Sequence, residues 1–122
     1  MIQKETVIRA ADNSGAKLLR VIGILRKGNA RTATLGDIVS VAVRGAQPHG
    51  IVKDHAKEQA VVVRLRKEVR RSDGSYVRFG DNAGVVIDKS GKPKGSRVLG
   101  PIAREVRERG YKKIASLAPE VY

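Results

Sequence analysis

The chain has no cysteine and no tryptophan, and its aromatic residues amount to three tyrosines and one phenylalanine. Without thiols there can be no disulfide, no thiolate metal site and no cysteine nucleophile, a composition that fits a reducing compartment. With aromatics at 3%, a core has to be built from Val, Ile, Leu and Ala, with Tyr76, Phe79, Tyr111 and Tyr122 as the few large rings. No run of about 18 apolar residues is present, nor a strongly amphipathic terminal helix, so no membrane partner is expected. The opening MIQKETVIRAADN lacks the basic and apolar regions of a secretory signal. Glu5 and Asp12 also set it apart from an acid-poor transit peptide, and the chain is expected to act where it is made.

Carboxylates are scarce as well: 12 acidic residues stand against 25 Lys and Arg, a net charge of +13 and a pI near 10.6. Self-repulsion of that size opposes compaction unless a polyanion neutralises it. Nucleic acid is the expected partner, because phosphates exchange their counterions for Lys and Arg. The scarcity of rings argues against a module that reads single strands by stacking and for one that grips folded RNA by shape and phosphate contact.

At 122 residues the chain fits one domain, 1–122, with no repeat or linker. Short apolar runs broken by Gly, Asp, Asn or Pro predict an all-β barrel or sandwich. Strands are expected over Thr6 to Ala11, Lys17 to about Arg26, the alternating IVSVAVR, Ala60 to Arg71, Tyr76 to Phe79 and Gly84 to Asp88. DNSG is a turn, and Gly28, Asn29 and Gly36-Asp37 mark a loop. On the long strand Val61, Val63, Leu65 and Val69 are expected on one face and Arg64, Arg66 and Arg70 on the other. Asp73-Gly74 suits a type I′ hairpin, and KSGKPKGSR an exposed loop or projecting ribbon. One helix is expected, Ile102 to about Arg109, opened by Pro101 and ended by Gly110; KKIASL reads as a short strand or turn.

No constellation points to catalysis. His49 and His55 are polar-loop residues without the convergent spacing of metal ligands. Asp73 and Asp81 could pair as acid and base only if their pKa values were pushed apart, and turn formers and arginines surround both. Turn and bulge roles suit them better, with Asp81 or Asn82 bonding its own backbone. GKPKGS and GDNAG lack the Gly-Lys-Ser/Thr order of a phosphate loop, and Ser14 has no nucleophile frame. The chain reads as a non-enzyme with no metal and no cofactor. Its charge gathers in RLRKEVRR (five basic residues, one acid), KSGKPKGSR (four, none) and REVRERGYKK (five, two). In the last of these Glu105 and Arg109 are spaced to pair along a helix.

Ala60–Val63, Asp73-Gly74, Phe79, Asn82 and Val85-Val86 occur in the order and spacing AVVV, nine residues, DG, four, F, two, N, two, VV. This pattern resembles the signature of the universal L-fourteen family of large-subunit ribosomal proteins. ADNSGAK, LGD, QPHGIVK, GPIAREVRERG and KIASLAPEVY extend the resemblance over the whole chain. It implies a mainly β fold: a small five-stranded OB-like β-barrel over about residues 1–100, a projecting β-ribbon, and short C-terminal helices over about 101–122. It also implies binding to large-subunit rRNA, intersubunit bridges with small-subunit rRNA, and contacts with the neighbouring proteins L-three and L-nineteen. A ribosome-silencing factor that blocks subunit joining is a further implied partner. The expected location is the cytoplasmic ribosome, or an organelle matrix if the chain is organelle-encoded. By position, Lys17, Arg44, Lys53, Arg64, Arg66, Arg70 and Arg78 are the family-like rRNA-binding sites. Ser96, Arg97 and Lys113, with Lys92, Lys94 and Arg104 beside them, are the interface sites. Thr32, His49 and the FGDNAG form depart from the family's usual aromatic, Arg and FDDNA or FDGNA.

Overall fold

The computed structural model describes residues 2–25 and 31–122; the expected strand end at Arg26 and the loop markers Gly28 and Asn29 lie outside them. Five strands close into a barrel: β1 (Val7–Ala10), β2 (Ala16–Ile24), β3 (Ile38–Ala46), β4 (Lys57–Arg64) and β7 (Ala83–Ile87), in the order β1-β2-β3-β4-β7. The neighbours are antiparallel except where β7 meets β1 in parallel, which closes the cylinder and leaves none of the five with an unpaired edge. The mainly β expectation therefore holds, with the barrel as its architecture.

Period-2 alternation explains the interior. Ile8, Leu19 and Val43 share one cross-strand row, with Val21, Val39, Val41, Ala60, Val62 and Val86 completing the lining. Each Val, Leu or Ile buried there stabilises the fold by about 1.5–3 kcal/mol. Strands β4 and β7 depart from alternation because both of their faces are buried. Val61, Val63, Ala83, Val85 and Ile87 pack outward, under Val98, Ile102, Val106, Ile114 and Ala115 of the C-terminal segment.

The single long strand expected from Ala60 to Arg71 is two pieces. Pairing with β7 slips between Val62 and Arg64, and the bulge reverses which side chains face inward. Val61 and Val63 join the outer cluster, while Leu65 and Val69 join the barrel cluster, so the four do not share a face. The chain then forms a two-stranded ribbon, β5 (Val69–Arg70) with β6 (Tyr76–Val77). Its turn is not type I′. Arg71 O accepts from Gly74 N (3.0 Å) and Ser75 O from Arg71 N (2.8 Å), and of the central residues only Gly74 has positive φ, 87°. This is a type I turn closed by a left-handed glycine. Asp88–Lys92 repeats the pattern, and Lys94 N then donates to Val86 O at 3.0 Å, so KSGKPKGSR folds back onto β7 rather than projecting. Phe79 packs half-buried at the edge of the barrel cluster and does not fill it.

The C-terminal segment holds two helices, α1 (Glu105–Glu108) and α2 (Lys112–Leu117). Helix α1 starts later than Pro101 predicted because the preceding backbone is committed elsewhere. Ala103 N donates to Val63 O (3.0 Å), Ile102 N to Glu120 O (3.0 Å) and Tyr122 N to Ile102 O (2.9 Å). KKIASL is helical where a strand or turn was expected, because Ile114 and Ala115 bury together against the outer cluster. Glu105 and Arg109 do not pair. Glu105 takes Arg71 Nη2 at 2.7 Å and Arg109 Nη1 reaches Asp37 Oδ1 at 3.0 Å, tying ribbon and barrel to α1.

Arg64 joins these parts. Only 9% exposed, it donates from Nη1 to Leu99 O (2.9 Å) and Pro101 O (3.3 Å) and from Nη2 to Asp81 Oδ2 (3.4 Å). Its Nε lies 2.9 Å from Asp81 Oδ1 as an ion-pair contact. Gly100, at φ 84°, lets the chain pass over it, since a Cβ there would stand 2.3 Å from Nη1. Arg64→Ala should cost about 2–3 kcal/mol by leaving carbonyls and a carboxylate without their donor. Arg64→Lys should recover only part, because an ammonium cannot serve all three acceptors in the fork geometry. Urea unfolding of the two variants measures both; equal stability to the wild type would rule out this role.

Candidate nucleic-acid interface

Among the described residues no cluster of His, Asp and Glu could hold a metal ion. His55 has an 87% exposed side chain and lies 3.6 Å from Asp54. The scarce carboxylates shape the backbone. Asp73 accepts from Ser75 N (2.9 Å) and Oγ (2.6 Å), and Asp88 in the same way from Ser90, with Lys92 N added. The Ser75 and Ser90 hydroxyls hold these two carboxyls below their ordinary range. Asp81 does not bond its own backbone but faces Arg64, and Asn82 Oδ1 accepts from Arg66 N at 2.8 Å.

The sheet register builds a basic face. Arg9 lies opposite Leu18, and Leu18 opposite Arg44, in the row next to the buried Ile8, Leu19 and Val43. Directly opposed residues share a face, so Arg9, Leu18 and Arg44 all point out of the barrel. Val7, Arg9 and Leu18 line a shallow depression with Arg66 and Asn82. Arg44 and Arg66 are exposed and have no carboxylate within ion-pair distance among the described residues, and the side chain of Arg9 is 72% exposed with Asp81 only at 4.0 Å. Arg9 was not among the expected sites; its alternation with buried Ile8 in VIRA is the signal that would have found it. The expectation that Arg64 shares an exposed face with Arg66 and Arg70 is corrected, since burial and internal acceptors consume its guanidinium. Lys17 is exposed at the start of β2, its stem beside Gly45, and Lys53 is exposed in the loop before β4. Arg70 and Arg78 are exposed on and just after the ribbon.

The second group of expected residues divides. Lys94 is 2.7 Å from Glu58, and Arg104 is 3.7 Å from Asp73, so acids occupy both. Lys92, Ser96, Arg97 and Lys113 are exposed, the last on α2. Asn13, a turn former by its place in DNSG, positions two of them. Its Oδ1 accepts from Ser96 N (2.8 Å) and Arg97 N (2.9 Å), and its Nδ2 donates to Ser96 Oγ (2.8 Å). Beneath it Asp12 is buried, accepting from Ser14 Oγ (2.7 Å) and Val86 N (3.0 Å). Burial pushes the Asp12 carboxyl above its ordinary value of 3.8, against the opposing hydrogen bonds from Ser14 and Val86.

Asn13→Ala should release this clamp, costing about 1–2 kcal/mol and speeding amide exchange at Ser96 and Arg97; unchanged protection there would show that the loop holds itself. Folded Asp12 keeps its proton to higher pH than the unfolded chain, so its contribution is largest below the ordinary value of 3.8 and is lost as pH rises through the raised one. Asp12→Asn should therefore gain stability relative to the wild type as pH rises through that window. Denaturation midpoints compared across pH check the sign.

A family model described as Ribosomal protein L14p/L23e matches residues 1–122. The large ribosomal subunit protein uL14 of Petrotoga mobilis (strain DSM 10674 / SJ95) is 57% identical over 122 residues, covering 100% of both chains. That of Aquifex aeolicus (strain VF5) is 56% identical over 121 residues, covering 99% of each. These relatives are named as ribosomal proteins and not as enzymes, in keeping with carboxylates that make turns or pair with cations. Matched from end to end, with the barrel closed and Arg9 and Arg44 turned outward from it, the chain belongs to the ribosomal protein L14p/L23e family.

Proposed function

We propose that the chain is a structural constituent of the large ribosomal subunit that binds large-subunit rRNA directly through its outer basic face. The observation that carries this reading is the group of outward cations Arg9, Arg44 and Arg66 on and beside β1–β3, the last two without a carboxylate partner. Arg44 on β3, and Arg66 with its backbone held by Asn82, can neutralise phosphates with release of counterions. Lys17, Lys53, Arg70 and Arg78 extend the positive surface beyond that group. Contact with small-subunit rRNA at intersubunit bridges, with L-three and L-nineteen as neighbours, belongs to the same reading. So does placement in a cytoplasmic ribosome, or in an organelle matrix if the chain is organelle-encoded.

A second reading rests on the Asn13 clamp. It presents Ser96 and Arg97 from an acid-free stretch, and with Lys92 and Lys113 they suit docking of a ribosome-silencing factor that blocks subunit joining.

Arg44→Glu with Arg66→Glu should weaken binding to protein-free large-subunit rRNA and flatten its salt dependence, each lost phosphate contact removing roughly 0.7–0.9 from the log–log slope. An unchanged slope would exclude this face. Reversing charge at Arg64 is not an equivalent probe, since it breaks the fold's internal tie. Arg97→Ala and Lys113→Ala should leave rRNA binding intact and lose the silencing factor in a pull-down with assembled subunits. Loss of rRNA binding in those two variants would instead assign them to the RNA.

A further inference from the structure

Tyr76 is unexplained by the fold. At 64% it is the most exposed large hydrophobic side chain among the described residues, in a chain with only four aromatic residues. The ribbon that carries it has two unlike faces. Val69 and Val77, directly opposite each other, pack against the barrel cluster. Arg70 and Tyr76, also directly opposite, are both exposed. Because Arg71 and Ser75 form the hydrogen-bonded pair that closes the turn, Arg70 and Tyr76 form the adjacent non-hydrogen-bonded pair, whose side chains stand closest. The alternation continues past the strand: Val77 and Phe79 pack inward, and Arg78 is exposed like Tyr76. One ring is thus flanked by two guanidinium groups, and among the described residues neither has a carboxylate within ion-pair distance, Glu68 lying only near enough to Arg78 to feel its charge. The ribbon is also anchored, by Arg71 to Glu105 at 2.7 Å and by Asp73 to Arg104 at 3.7 Å.

We propose that Tyr76 is a stacking platform for one unpaired nucleobase of the bound RNA, with Arg70 and Arg78 holding phosphates on either side of it. The site rests on the RNA-binding reading and deepens it. Residues that only neutralise phosphate need no ring among them, whereas an extruded base presents a π-face that an anchored tyrosine meets at low entropic cost. A solvated tyrosine serving only the ribbon's strand propensity would leave binding indifferent to its removal. The scarcity of aromatics is compatible with a single stacked base, since it excludes only a row of them.

The experiment measures binding of the full chain to protein-free large-subunit rRNA over a range of salt concentrations, for Tyr76→Phe, Tyr76→Leu, Tyr76→Ala and Arg70→Gln. Stacking requires that Phe bind within about twofold of the wild type and that Leu and Ala both weaken binding by about fivefold to a hundredfold. The salt slope should stay unchanged for these three and flatten for Arg70→Gln. The proposal is overturned if Ala binds like the wild type, or if Leu does, which would indicate a generic apolar contact suited to a protein neighbour. It is also overturned if Phe loses as much as Ala, since the hydroxyl and not the ring would then be in contact. If the wild type itself shows no salt-dependent binding, the RNA-binding reading fails and the stacking site with it. A wild type that binds alongside an equally tight Ala variant removes the stacking site alone. Thermal unfolding of each variant confirms that the exposed position leaves the fold intact.

Discussion

The buried guanidinium of Arg64 is the constraint on which the arrangement of the molecule turns. It stands at the bulge where β4 leaves the barrel, and it reaches the carbonyls of Leu99 and Pro101 and the carboxylate of Asp81. Those acceptors belong to the two segments that flank β7, so one side chain sets where the C-terminal segment crosses the barrel and where the chain returns from the ribbon. A buried ion pair is not in itself a strong source of stability, because desolvation offsets its attraction. Its value here is geometric, since removing the arginine takes from the Leu99 and Pro101 carbonyls the side-chain donor that holds them and leaves Asp81 only the more distant Arg9.

The helices follow from that crossing. Once Ala103 has donated to Val63 O, the backbone from Ile102 onward is placed over the outer faces of β4 and β7. Those faces carry Val61, Val63, Val85 and Ile87, which solvent would otherwise meet. Covering one side of the barrel leaves the outer surface over β1–β3 open, with Arg9 and Arg44 beside the exposed Val7 and Leu18. Positive charge can collect there because Asp37, Glu58, Asp73, Asp81 and Glu105 each pair with a particular cation elsewhere; the acids that do reach that surface are Glu5, paired with Arg20, and Asp81, whose closer partner is Arg64. The imbalance of charge in the composition thus becomes an imbalance between surfaces, which is what a polyanion needs from its partner.

The strands of the barrel were legible in the sequence because period-2 burial leaves a period-2 trace, clearest in Val39, Val41 and Val43. Alternation failed as a guide beyond Val62, where a bulge shifts every later side chain, and nothing local distinguishes a bulged strand from a straight one. The short helices were misjudged for a related reason. Pro101 is a good first helical residue, but the backbone after it is drawn into sheet-like hydrogen bonds with residues near the C-terminus. KKIASL has no strong cap and becomes helical through the burial of Ile114 and Ala115. Asn13 was read as a turn former, and its main contacts lie 83 and 84 residues away.

By itself the sequence determined the strand content, the excess positive charge and the want of catalytic groups, because composition and periodicity are local properties that any fold of this chain must carry, and its motifs in their order carried the family resemblance. Which arginines are free was decided only by tertiary structure. Arg64 and Arg66 are two residues apart and equally basic on paper, yet one is enclosed by carbonyls from 35 and 37 residues further along and the other stands in solvent. Acceptors brought from that distance leave no mark in the local pattern, so the difference between an arginine that holds the fold and one that can meet RNA exists only once the barrel has closed.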